Sequence, residues 1–152
     1  MKRAWVLALA GFVTAAVAAA ALGIWASGED EPPAMAQTTK YTSGLGRTIV
    51  VTEPTTNAHV RSPLHVVGKV PGPWSFEGSF GVEIQDANHH RVAEHYATVQ
   101  GEWMTEADVP FTADVKFKAP STGAGFLVLH NANPSADQSH ADSVEIPIRF
   151  AG

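Results

Sequence analysis

The sequence predicts an all-β fold, an immunoglobulin-like two-sheet sandwich of about seven strands, preceded by an N-terminal signal or anchor helix. Three observations carry that prediction. Apolar and polar residues alternate in seven short runs beyond residue 47, turn-forming residues such as Pro, Gly and Asn separate the runs, and no helical period follows the leader. A small barrel is the competing architecture, because strand count alone does not separate open from closed sheets.

The leader comes first in the chain. Lys2 and Arg3 precede residues 4–26, an Ala-rich run without a charged side chain that carries Trp5, Leu7, Phe12, Leu22 and Trp25. It is either a cleavable export signal, ending near Ala18-Ala19-Ala20 or Ala34-Met35-Ala36, or an uncleaved membrane anchor of the roughly 20 residues a spanning helix needs. Both forms keep the positive residues inside and send the following chain out of the cytoplasm, to the periplasm or cell surface. Residues 27–47 are read as a flexible linker, since Gly28-Glu29-Asp30-Glu31-Pro32-Pro33 and the polar residues after it lack any apolar period. Residues 48–152 form the folded domain.

Ile49, Val50 and Val51 open that domain, and Pro54 to Asn57 turn the chain toward Val60. Leu64, Val66, Gly68 and Val70 alternate with His65, Val67 and Lys69 until Pro71, Gly72 and Pro73 stop the strand, because proline offers no ladder donor. Phe80, Val82 and Ile84 alternate with Gly81, Glu83 and Gln85 across residues 79–86. The turn formers from Asp86 to His90 then reverse the chain into residues 91–99, which predicts a hairpin. Phe111, Ala113, Val115 and Phe117 give the cleanest alternation, ended by Pro120. Residues 124–130 hold the near-continuous Phe126-Leu127-Val128-Leu129, the pattern of a strand covered on both faces or lying under a loop. Val144, Ile146, Ile148 and Phe150 close the domain, and Pro147 points to a sheet edge.

Composition removes several function classes. The chain has no Cys, which excludes disulfides, thiolate metal sites, a cysteine nucleophile and lipid attachment at a cysteine. Its formal net charge is -5, and two of its basic residues lie in the leader, so the domain should repel nucleic acid.

Several motifs occur in a specific order: Ser62-Pro63-Leu64, then Gly68, Trp74-Ser75-Phe76-Glu77-Gly78, Gly101-Glu102-Trp103-Met104, and Asn133-Pro134-Ser135 before the last strand. Together they resemble the second-type Gmad family, the immunoglobulin-like, GerM-associated domains of bacterial spore germination proteins, over roughly residues 49–150. The resemblance implies an immunoglobulin-like fold in an exported envelope protein. It carries over no catalytic residue. The GerM-type domain that gives the family its label has no counterpart in the sequence, so a general envelope module is the expectation.

Three chemistries compete for the polar and aromatic residues. Asn88-His89-His90 with His95, Met104, His130 and His140 invites periplasmic copper, yet adjacent His89 and His90 on a turn diverge and no spaced pair puts two ligands on one face. Glu77 and Glu102 each sit near a Trp in a loop and suit an acid/base pair for glycoside cleavage, or else loop carboxylates that cap backbone amides. Trp74, Phe76 and Trp103 are either core plugs at the end of the sandwich or a binding surface rimmed by Glu77, Glu102 and Glu106. The candidate surface is therefore Trp74, Phe76, Glu77, Glu102 and Trp103. The expected function is an exported, non-enzymatic envelope module, working without cofactor on a protein or glycan partner or in a structural role, and touching the membrane through its N-terminal segment if that is uncleaved. A periplasmic metal- or small-ligand-binding protein is the alternative.

Overall fold

All seven alternating runs form strands, and two further strands join them. The computed structural model of the chain describes residues 37–121 and 123–151, so the expected signal or anchor helix and residues 27–36 of the expected linker lie outside the described residues. Among the described residues no helix is long and apolar enough to cross a membrane. The described residues form nine strands, β1 (Thr39–Thr42), β2 (Thr48–Glu53), β3 (Ala58–Val60), β4 (Leu64–Pro71), β5 (Ser79–Asp86), β6 (Arg91–Val99), β7 (Asp108–Val115), β8 (Ala124–His130) and β9 (Ser143–Phe150).

Hydrogen bonds link them in one sheet, ordered β1-β2-β4-β7-β6-β5-β8-β9-β3. The expected division into two separately bonded sheets is therefore replaced by a single sheet that curls around the core. Its physical cause is the return of the chain after Val99, which lays Thr98 opposite Thr112 and Val99 opposite Phe111 and so joins the halves at a narrow seam. The order ends at β1 and β3, so hydrogen bonding does not close a barrel.

The core lies inside the curl. Phe80 of β5 and Phe111 of β7 come from opposite sides of the seam and meet edge-on, with ring centroids 4.9 Å apart. Such a pair contributes about 0.5–1.5 kcal/mol beyond its buried area. Ile49, Val51, Val66, Val82, Ile84, Leu127, Leu129 and Ile146, all fully buried, complete the interior from the predicted inward positions. Val128 is also buried, on the opposite side of β8, and Phe126 is covered by the stacked ring of His89 at 4.5 Å. The near-continuous apolar run is thus covered on both faces, as expected.

Three local expectations are corrected. Residues 39–42 belong to the sheet and not to a tether: Thr39 pairs with Val51, and Tyr41 with Ile49. Polar composition concealed this strand, which is held by the β2 edge and by the turn after it. In that turn the buried Asp142 carboxylate accepts from Ser43 Oγ at 2.6 Å and from the Leu45 N–H at 3.0 Å. The strand expected over Phe111 to Phe117 runs earlier, from Asp108 to Val115, and the Phe117 N–H instead donates to Ser62 Oγ at 2.9 Å. Pro147 lies within β9, which is not terminal, because the short parallel strand β3 pairs beyond it. The Pro147 carbonyl accepts from the Asn57 N–H at 2.7 Å on the β3 side, so its missing donor falls before that ladder begins and disrupts nothing.

Candidate functional site

The loop end is built around a close backbone approach. Pro71 and Pro73 rigidify the exit of β4, and Gly72–Trp74 forms a 3-10 turn. The Gly72 N–H donates to the Ala107 carbonyl at 3.0 Å, and a Cβ on Gly72 would lie 1.8 Å from the Thr105 oxygen. Only glycine lets the two loops touch there. The turn drives Trp74 into the core, where it is 3% exposed, and the Trp74 carbonyl accepts from the Ala132 N–H at 2.8 Å. Trp74 therefore drops out of the candidate binding surface and plugs the end of the curled sheet.

The other candidate residues stay outside. Phe76 is 46% exposed and packs edge-on against half-buried Trp103, with centroids 6.3 Å apart. Glu77 is exposed at φ 50°. Glu102 turns back to accept the Met104 N–H at 2.9 Å, the capping role of a loop carboxylate, and among the described residues no contact joins it to Glu77. The arrangement supplies an aromatic surface, with the Glu102 carboxylate committed to its own loop backbone.

The histidines go to separate partners. His89 Nδ1 lies 3.1 Å from Gln85 Oε1 and 3.6 Å from Glu145, whereas His90 Nδ1 lies 3.4 Å from Asp86. His95 is an exposed residue of β6, and His140 lies in a 3-10 turn. Among the described residues no group of three or more His, Cys, Asp or Glu is placed to hold a metal ion.

A second surface, not singled out from the sequence, lies on the outer face of β6, β5 and β8. Inward placement of Phe80, Val82 and Ile84 sends Gly81, Glu83 and Gln85 outward, and register sets Tyr96 and His130 on either side of Gly81. Glycine at the centre of that row leaves a hollow of about 560 Å³, lined by Phe76, Gly81, Glu83, Glu94, Tyr96 and His130 among others. Glu83 forms its base, with a side chain only 9% exposed. Gln85 Nε2 donates to Glu83 Oε1 at 2.9 Å, Arg91 Nε lies 3.4 Å from the same oxygen, and His130 Nε2 lies 3.3 Å from the other. Arg91 also reaches Glu94 at 2.8 Å. The signal available in the sequence was a carboxylate between Gly81 and Gln85 on a strand whose neighbours are apolar.

Burial works to raise the Glu83 pKa, but the hydrogen bond from Gln85 and the charges of Arg91 and His130 outweigh it and hold the carboxyl below its ordinary range. A lowered folded pKa stabilises the fold above the ordinary carboxylate pKa and loses that contribution as pH falls through the folded value. Glu83→Gln is expected to lower stability near neutral pH by about 1–3 kcal/mol and to flatten the acid limb of the stability profile. Urea unfolding of both proteins from neutral pH down to below the carboxylate range checks this; parallel acid limbs would contradict it.

The family comparison matches this architecture. The model of the immunoglobulin-like domain of bacterial spore germination matches residues 48–137, from β2 through β8 and the following loop. No curated protein and no solved structure matches the chain. With more than half its length matched, the chain belongs to the family of immunoglobulin-like domains of bacterial spore germination, the second-type Gmad family.

Proposed function

We propose that this protein is an exported, non-catalytic binding module of the bacterial cell envelope, directed there by its N-terminal signal or anchor and working without a cofactor. The observation that carries the reading is the aromatic surface. Among the described residues four large apolar side chains are exposed, and two of them, Phe76 and Tyr96 at 46% and 65%, line the same hollow, whereas Leu45 and Met104 lie outside it. Exposed rings beside oriented polar groups are the composition of recognition surfaces, because flat rings supply contact area at low entropic cost. Lys2 and Arg3 before an uncharged run support export, and family membership supports an envelope setting. We further infer that the two halves of the sheet act as the layers of an immunoglobulin-type sandwich, a reading supported by the narrow β6/β7 seam and the Phe80/Phe111 contact.

The test is crosslinking of tagged full-length protein in intact cells, with mass spectrometry of the captured material and of the protein's own N-terminus. Specific envelope components should be enriched, with an N-terminus at Met1 for an anchored module or beyond the leader for a released one. Capture of nothing above a tag-only control, or of cytoplasmic proteins alone, would contradict the proposal.

A further inference from the structure

We propose that the hollow above Gly81 is a carbohydrate-binding site that takes a neutral sugar chain. This deepens the binding-module reading and rests on it. Three features of the hollow select that ligand chemistry.

The first is shape. At about 560 Å³ the hollow falls within the usual range of small-ligand sites, roughly 300–1,000 Å³, and its lining follows β5 from Ser79 to Glu83, a length that suits a chain ligand. Gly81 makes the floor, and the row Tyr96, Gly81, His130 gives a trough with a wall on each side. The second is the pair of exposed rings, Tyr96 and Phe76, on which the C–H faces of a sugar pack.

The third feature is charge, and it decides between ligands. Two carboxylates invite a cationic peptide, but Arg91 lies against both, 3.4 Å from Glu83 and 2.8 Å from Glu94. Glu83 is held in addition by Gln85 and His130, so although two carboxylates face one guanidinium, each already has a partner and the buried one is closed off from an incoming amine. What remains is a mixture of planar donors and acceptors: the Arg91 guanidinium, the exposed Glu94 carboxylate and the Tyr96 hydroxyl. A sugar hydroxyl both donates and accepts, and that mixture satisfies it without a net charge. Glu83 acts as a positioning residue that fixes Arg91 and His130 from beneath.

Saturation-transfer NMR and calorimetry on purified full-length protein test the inference, with N-acetylglucosamine tetramer, cellotetraose and tetralysine as probes. At least one of the two sugars should bind saturably and tetralysine should not. Tyr96→Ala should weaken binding by about tenfold or more, as truncation of a central aromatic contact does. Gly81→Leu should abolish it by filling the trough. Tyr96 is largely exposed, so Tyr96→Ala should unfold at the wild-type temperature, and because a Cβ at Gly81 meets nothing closer than 3.5 Å, Gly81→Ala should do the same and serves as the folding control for the bulkier Gly81→Leu. Binding of neither sugar, preferential binding of tetralysine, or unchanged sugar affinity in both Tyr96→Ala and Gly81→Leu would overturn the inference. Specific envelope proteins still captured in cells in the absence of sugar binding would sink the carbohydrate site and leave the binding module standing. Loss of both would sink both.

Discussion

Trp74→Ala is expected to destabilise the domain by about 3–5 kcal/mol, the range for removing a buried large aromatic side chain. The indole is 3% exposed, and its Nε1 makes no hydrogen bond among the described residues, so the loss is one of packing. Removing the plug also uncovers the region where the Trp74 carbonyl holds Ala132 and where Gly72 meets the loop after Val99. Thermal unfolding should drop by 10 °C or more, roughly, for a domain of this size. Phe76→Ala, two residues along and half exposed, should change stability by less than about 1 kcal/mol. Equal effects of the two substitutions would mean that the boundary between core and surface is not at residue 75.

The second large effect is expected at Gly68. A Cβ there would lie 2.1 Å from the Val50 carbonyl oxygen and 2.8 Å from the Phe111 ring. Gly68 pairs with Val51 on one side and with Phe111 on the other, so both obstacles belong to adjoining strands and neither has room to retreat. Gly68→Ala should therefore cost about 3 kcal/mol, near the upper end for overpacking, although alanine is ordinarily the milder residue in a strand. Chemical denaturation of the purified variant measures it directly. A stability within about 0.5 kcal/mol of wild type would show that β2 and β7 yield more easily than their register implies.

The period-2 alternation made the inward set from Ile49 to Phe150 readable, because each buried strand declares its face every second residue. β1 and β3 were unreadable for the same reason. Thr39–Thr42 alternates in burial but has no run of apolar side chains to show it, Ala58–Val60 is too short for a period, and both exist because an adjacent edge accepts them. The candidate site divided likewise. Phe76, Glu77, Glu102 and Trp103 were placed at the loop end from turn chemistry, but whether Trp74 faced inward depended on the approach of residues 103–107 to Gly72, a long-range contact. The hollow depended on register still more. Tyr96 and His130 lie 34 positions apart in sequence and flank Gly81 only because β6 and β8 both pair with β5. Glu83 looked like an ordinary outward carboxylate until Gln85, Arg91 and His130 closed over it.

The most direct measurement is the same intact-cell crosslinking carried out on Tyr96→Ala beside wild type, with the melting temperature of each protein recorded from the purified full-length chain. The expected result is an unchanged melting temperature with capture of envelope material reduced to the level of the tag-only control. Undiminished capture by a normally folded Tyr96→Ala protein would contradict the assignment of binding to the outer groove.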